Sequence, residues 1–391
     1  MYIIWIILAV ITAFFVAWNN GSNNTANIIG SAVGSGSIKL KKGLLISSLT
    51  CFIGAILLGN LVTETIMNGI VAFKLIEDKW IIVKGVLTIL ISTGIWIFIN
   101  SIFKIPVSVH ACIIGSVIGF GLSYNANLIN WRNIMRILIA WMILPFISAL
   151  ISYITCKIYS RNLNKKRSVI LIFTLSVFSV NLIFTMLILN RIFMAKEYLV
   201  LTSIIISLIL TIFIYYKAKK YFTKINLSNI YYSFRTPIIL ASIFMAFSFG
   251  ANDVSNAAAP LALILSTLEH KYSIENIHFS LIISALGLSI GIIMWGKRVI
   301  ETIGERITLL SPLSAFSTQF ATSISMIIFT AFKLPASTSI SIVGSVIGVG
   351  LARGFKTVSF RTVIRIFIMW ILLIPATMLT SYIIYVIIRF V

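Results

Sequence analysis

One stretch organises the whole chain: Phe247-Ser-Phe-Gly-Ala-Asn-Asp-Val-Ser-Asn-Ala-Ala-Ala-Pro260, set within about thirty otherwise apolar residues that are long enough to cross a bilayer. Of the 9 acidic residues, Asp253 alone falls inside a predicted membrane segment. An ionised carboxylate at the bilayer centre costs about 2.5–3.5 kcal/mol on insertion scales, so it predicts a functional site. The alternative is a carboxylate paired within a helix bundle as a structural link.

The composition is that of a helical membrane protein. The chain has 391 residues, of which 59% are hydrophobic and 10% charged. The net charge of +22 does not indicate a nucleic-acid partner, because the basic residues cluster in short loops between apolar runs and so report membrane orientation. The cysteines at 51, 112 and 156 are odd in number and widely spaced, which favours packing over disulfide or metal roles.

The fold class predicted is an all-α integral membrane protein with about twelve transmembrane helices. The predicted segments are 2–36, 44–61, 80–103, 105–124, 133–158, 168–190, 198–216, 236–265, 277–295, 308–332, 334–351 and 362–388. The excess of Lys and Arg in alternate loops places both termini outside. The first and eighth segments are too long for one simple helix, so we expect them to be broken or partly re-entrant at polar motifs.

A sequence repeat runs through the chain at one fixed offset. Gly21-Ser-Asn-Asn-Thr-Ala-Asn27 aligns with Gly250-Ala-Asn-Asp-Val-Ser-Asn256, which is 229 positions later (250 − 21 = 229). Residues 104–122 align with 333–351 at the same offset, with 11 of 19 positions identical. The chain therefore divides into a first repeat (1–160), a two-helix insertion (161–229) and a second repeat (230–391). An odd number of segments precedes the second repeat, so its topology is predicted to be inverted.

Inverted repeats with interrupted helices at matching positions predict a secondary transporter with its site near the bilayer midplane. A broken helix would offer N–H donors to an anion, while freed carbonyls and Asp253 would hold a cation. Each half also has a Pro-x-Ser element, at Pro106 and Pro335, where a helix beginning with proline would leave amides unpaired. Alternatives stay open: hydroxyls bonded back to their own helices, asparagines as interhelical links, and a packed His110.

These motifs resemble those of the inorganic phosphate transporter (PiT) family, whose halves each carry Gly-Ala-Asn-Asp-Val-Ala-Asn and Pro-Val-Ser-Thr-Thr-His. The run Arg-Val-Ile-Glu-Thr-Ile-Gly at 298–304 is also similar to the family's second half. The resemblance implies phosphate import by symport with sodium or protons, an elevator-like movement and a homodimer. This chain departs from the pattern at Asn24, which replaces an aspartate, and at both family histidines, while His110 stands where the family has its second threonine.

The candidate site combines the matching positions of both motifs. For the substrate they are Asn23, Asn24, Asn27, Ser108, His110, Asn252, Asp253, Asn256, Ser337, Thr338 and Ser339. The coupling cation, Na⁺ in a sodium-driven carrier, is expected at Asp253, Asn252, Asn23 and Asn24. No cofactor is expected beyond the coupling Na⁺ or H⁺, and the partners are the oxyanion and the lipid bilayer of the cell membrane.

Three competing functions remain at this stage. A sulfate permease of the same fold is the nearest, because the amide of Asn24 can donate to sulfate, whereas a carboxylate would only repel it. An intramembrane hydrolase is disfavoured, since no second carboxylate lies at membrane depth for an acid/base pair. A passive anion channel would not need a buried acid. The sequence leaves the coupling ion, the affinity and the oligomeric state open.

Overall fold

A computed structural model describes residues 2–103, 107–192, 198–224, 232–269, 273–303, 311–354 and 360–390. Within those ranges the protein is helical, and its extended pairing is limited to one isolated bridge between Val71 and Ile129. Pro106 lies outside the described residues, as does the predicted boundary between positions 229 and 230.

Fifteen α-helices make up the described part of the chain. They are α1 (Tyr2–Thr25), α2 (Ser31–Gly34), α3 (Leu40–Leu58), α4 (Asn60–Gly69), α5 (Lys79–Ile102), α6 (Val109–Tyr124), α7 (Trp131–Asn162), α8 (Lys166–Ile192), α9 (Leu199–Thr223), α10 (Arg235–Asp253), α11 (Ser255–Leu268), α12 (Ile274–Ile303), α13 (Pro312–Ala331), α14 (Thr338–Arg353) and α15 (Phe360–Ile388).

The all-helical membrane fold predicted from hydropathy is confirmed. Ten stretches of described residues are helical, long and apolar enough to cross a bilayer, and two shorter apolar helices, α6 and α14, complete the twelve segments. The sequence reading missed α4, a helix of 10 residues that it had assigned to a loop. The helix is too short and too polar for hydropathy to reveal.

Each of the two long segments is interrupted at its polar motif. In the first, a π-helical turn over Ala26–Gly30 joins α1 to α2. In the second, Val254 separates α10 from α11 but keeps right-handed helical angles, with φ −59° and ψ −30°. The expectation that interrupted helices offer free N–H groups at these motifs stays a prediction. Further helix starts come from other elements.

Two helical hairpins supply those starts. One is formed by α5 and α6, and it opens beside the beginning of α1, where the Lys79 ammonium donates to the Tyr2 hydroxyl at 2.6 Å. The other is formed by α13 and α14, and it opens beside α2, where the Gln319 amide donates to Ser31 Oγ at 2.6 Å. The hairpins therefore enter the bundle from opposite ends of the first long segment.

The turns of the two hairpins meet inside the bundle. Ser339, at the start of α14, donates from its hydroxyl to the carbonyl of Val107, just before α6, at 2.9 Å. Both α6 and α14 have 16 residues, or about 24 Å at 1.5 Å per residue. Each is thus too short to cross the bilayer alone, and each begins in the protein interior.

Each short helix packs on a helix from the other half of the chain. Helix α6 lies against α15, where a side chain at Gly119 would overlap the backbone of Met378. Helix α14 lies against α7, where a side chain at Gly348 would overlap the backbone of Ala149. Gly348 lies 229 positions after Gly119, and Ala149 lies 229 positions before Met378, so the two contacts correspond at the repeat offset. Small residues permit this close approach. The division of the chain into two repeats and an insertion stays a prediction.

Candidate functional site

The predicted site residues gather where the two hairpin turns meet the two long segments. Asn23, Asn24 and Asn27 come from the end of α1 and the π turn, and Asn252, Asp253 and Asn256 from the α10–α11 junction. Ser108 and His110 come from the first hairpin, and Ser337, Thr338 and Ser339 from the second. All eleven side chains are buried.

The side chain of Asn252 holds the second hairpin turn through hydrogen bonds to the backbone of that turn. Its amide nitrogen donates to Thr330 Oγ1 at 2.9 Å and to the Leu334 carbonyl at 3.3 Å. Its amide oxygen accepts from the backbone N–H of Ala336 at 3.0 Å. Both ends of this amide are occupied by the hairpin.

Asn23 makes the corresponding contacts with the first hairpin. It donates to Ser101 Oγ at 3.0 Å, and its amide oxygen accepts from the backbone N–H of Val107 at 3.3 Å. These partners lie 229 positions before Thr330 and Ala336. Asn23 and Asn252 thus link helices, which is the alternative that the sequence analysis left open for the asparagines, and their role as ligands stays a prediction.

Asp253 lies between the helix starts of the two hairpins. Thr338, in the first turn of α14, donates to its Oδ2 at 2.9 Å. On the α6 side, His110 Nδ1 is 3.9 Å from its Oδ1, which is too long for a hydrogen bond. The carboxylate therefore keeps acceptor capacity that a cation or a protonated ligand can use.

A chain of amides forms the opposite wall of the site. Asn27 donates to Asn24 Oδ1 at 2.9 Å and to Ser339 Oγ at 3.2 Å. Asn24 in turn donates to Asn20 Oδ1 at 2.8 Å, and Asn20 donates to the backbone carbonyl of Asp253 at 3.2 Å. This network joins the two motifs directly.

Two serines cap the hairpin helices. Ser108 Oγ accepts from the N–H of Ala111 at 3.3 Å, and Ser337 Oγ accepts from the N–H of Ile340 at 3.4 Å. The expectation that proline begins these helices is wrong for Pro335, because α14 begins at Thr338 with Ser337 as its N-cap. Each cap leaves its hydroxyl proton free to donate, and the first amides of each helix have no partner within the helix.

Several buried polar atoms at this place have no hydrogen-bond partner among the described residues. They include both the nitrogen and the oxygen of the Asn256 amide and the Nε2 atom of His110. An unpaired buried polar atom costs about 1–3 kcal/mol, so a polar ligand that partners these atoms would recover that cost. The described residues hold no group of three or more His, Cys, Asp or Glu side chains, and the oxygen atoms of Asp253 and the amides are the donors on offer for a cation.

Sequence reasoning missed two residues that the structure places here. Asn20 bridges the two motifs, and Gln319 donates to the Asn27 carbonyl at 3.0 Å while its own amide oxygen is buried without a partner. At the repeat offset Asn20 corresponds to Phe249 and Gln319 to Leu90. A search for matching positions could not find them, although their polarity inside apolar segments was a usable signal.

Comparison with known proteins identifies the family. A sequence model of the phosphate transporter family matches residues 20–381, which covers both motifs and both hairpins. The chain belongs to the phosphate transporter family. As a member, it is a multi-pass membrane transporter and not an enzyme.

Individual members agree along nearly the whole length. A chain of Pyrococcus horikoshii that bears a phosphate permease name is 31% identical over 388 residues, covering 95% of this chain and 94% of that one. Inorganic phosphate transporter 2-1, chloroplastic, of Arabidopsis thaliana is 31% identical over 401 residues, covering 93% and 68%. A solved structure titled "The sodium-dependent phosphate transporter" superposes with a TM-score of 0.94 at 29% identity over 99% of each chain.

Proposed function

We propose that this family member is a secondary active symporter that imports inorganic phosphate, driven by a sodium or proton gradient. The anion would bind where the two hairpin turns meet, against Asn24, Asn27, Asn256 and the first turns of α6 and α14. The coupling cation would bind at Asp253. Family membership and the names of the relatives support phosphate as the substrate.

One observation carries this proposal: two helix starts, from opposite ends of the bundle, converge on a single buried carboxylate. Helix starts favour anions, because their N–H groups are unpaired and the helix dipole is positive there. A phosphate at this place would nevertheless be repelled by Asp253. At about 4 Å and an effective dielectric of about 20, two unit charges interact by about 4 kcal/mol.

This repulsion is the physical basis for coupling. A cation beside Asp253 offsets the repulsion between Asp253 and the anion, and the bound anion in turn adds to the attraction that holds the cation. Each ion therefore raises the affinity for the other by the same factor. Movement of the loaded site from one face to the other would then transport both ions together.

A second substrate is favoured by Asn24. Its amide nitrogen is directed to Asn20 and its oxygen accepts from Asn27, so the residue offers no carboxylate to a phosphate hydroxyl. Sulfate carries no hydroxyl proton near neutral pH, so it does not need a carboxylate acceptor at residue 24. Asp253 still supplies one carboxylate, which keeps phosphate ahead of sulfate.

The remaining parts of the proposal concern surroundings. We expect a homodimer in the cell membrane with both termini outside, and no cofactor beyond the coupling Na⁺ or H⁺. The lysine and arginine clusters at 39–42, 157–167 and 217–224 would then face the cytoplasm.

The test is uptake of labelled phosphate and sulfate into proteoliposomes, with an inward sodium gradient, an inward proton gradient or no gradient. Phosphate should accumulate above equilibrium under one of the two gradients and should show counterflow without either, as a carrier does and a channel does not. Sulfate uptake without phosphate uptake would reverse the order of substrates. The absence of counterflow for both anions would contradict the proposal.

A further inference from the structure

The turn of the second hairpin carries Thr338 and Ser339 into the site, so its position decides where these two hydroxyls lie. Asn252 fixes the Leu334 carbonyl and the Ala336 N–H of that turn. The carbonyl between them, that of Pro335, is held by a residue from the other half of the chain. Trp141 of α7 donates its indole N–H to this carbonyl at 2.8 Å, and the indole is buried.

We propose that Trp141 is a positioning residue for the anion: its indole N–H fixes the second hairpin turn, and thereby sets the affinity for substrate. This inference rests on the proposed function and names a residue that touches neither the substrate nor the cation. Proline cannot donate a backbone hydrogen bond, so the Pro335 carbonyl is that residue's remaining polar anchor. Three residues later, Thr338 donates to Asp253.

Helix α7 is suited to this role because it is attached along α14. Ser148 and Ser341 share a hydrogen bond at 2.9 Å, and a side chain at Gly348 would overlap the backbone of Ala149. Trp141, Ser148 and Ala149 are spaced so that they share one face of a helix. The indole therefore holds the turn in register with a helix that already backs α14.

The chain offers a matched control in Trp96. Its indole N–H donates to Thr380 Oγ1 at 2.9 Å, and this bond joins α5 to α15 without touching either hairpin turn. Trp141→Phe and Trp96→Phe each remove one indole hydrogen bond and keep an aromatic ring. The two variants differ because the Trp141 bond holds the second hairpin turn, whereas the Trp96 bond joins two helices away from the turns.

The experiment measures KM and the maximal rate of phosphate and sulfate uptake in proteoliposomes. We expect Trp141→Phe to raise the KM of the transported anion about tenfold with little change in maximal rate, because the turn is displaced from its binding geometry. Trp96→Phe should leave KM within about twofold. Trp141→His keeps a ring N–H and should fall between them. The change in tryptophan emission on adding phosphate to detergent-solubilised protein should be largely lost in Trp141→Phe alone.

Each other result contradicts the proposal. An unchanged KM in folded Trp141→Phe, or an equal rise in Trp96→Phe or Trp141→His, would show that the indole bond does not position the anion. If neither variant at 141 folds while Trp96→Phe does, Trp141 is required for folding and not for positioning. A wild type that carries neither anion would overturn the proposed function and this inference with it, whereas an active wild type with a silent Trp141→Phe would overturn the inference alone.

Discussion

The motif has two asparagines four positions apart, Asn252 and Asn256, and their alanine variants should differ in stability. The Asn252 side chain makes three hydrogen bonds, to Thr330, Leu334 and Ala336, and its loss removes the partner of the buried Ala336 N–H and of the half-buried Leu334 carbonyl. At about 0.5–1.5 kcal/mol for each bond, Asn252→Ala should lower the free energy of unfolding by about 2–4 kcal/mol. The side chain of Asn256 makes no hydrogen bond within the described residues, so Asn256→Ala should lower the free energy of unfolding only by the cost of a small cavity.

The two variants control each other, because both side chains are completely buried and both substitutions remove the same atoms. Unfolding in mixed detergent micelles with increasing dodecyl sulfate, followed by tryptophan fluorescence, should place Asn252→Ala below Asn256→Ala by at least about 2 kcal/mol. Phosphate uptake should fail in Asn256→Ala despite its stability. Equal destabilisation of the two variants would refute the hydrogen-bond argument, and normal uptake by Asn256→Ala would remove its amide from the site.

Three further predictions follow from the same geometry. Asp253→Asn should fold and insert but lose coupled uptake, because it removes the buried carboxylate that balances the cation; accumulation against a gradient by this variant would show that Asp253 is not the coupling residue. Asn24→Asp should raise phosphate uptake relative to sulfate, or add a coupled cation, and no change in either would place residue 24 outside the ligand shell. Single cysteines at positions 40 and 270, in a background without the native cysteines, should be labelled from opposite sides of the membrane, and labelling from one side would contradict the predicted topology.

The helical fold could be predicted because the length and hydropathy of the apolar segments are enough to indicate membrane helices. The twelve apolar segments correspond to described helices, and the polar motifs were correctly placed within the first and eighth. Helix α4 escaped because 10 residues of mixed polarity give no membrane signal. The interruption expected near Asp253 lies at Val254, which separates α10 from α11 but keeps helical angles, and the sequence pattern does not predict those angles.

The sequence predicted which candidate residues would cluster, but it did not predict their contacts. The repeat offset paired Asn23 with Asn252 and Ser108 with Ser337, and the structure brings all four to one place. The repeat offset could not show that Asn23 and Asn252 face the hairpin turns, because side-chain direction depends on packing between elements far apart in sequence. Asn20 was missed for a different reason. Its counterpart in the second half is Phe249, so comparison of the two halves finds no matching residue at this position.

The exchange of backing helices between the halves has a consequence for how the chain is made. The glycine face of α6 is complete once residue 124 has been synthesised, yet the helix that covers it includes Met378, near the end of the chain. At about 5–20 residues per second, roughly 250 residues of further synthesis take about 13–50 s. During that interval the first hairpin is inserted without its partner helix, and the buried backbone carbonyl of Ser116 lacks the hydrogen bond that the Ser381 hydroxyl later donates. A nascent chain arrested before α15 should therefore leave the glycine face of α6 uncovered, and release of the full chain should cover it.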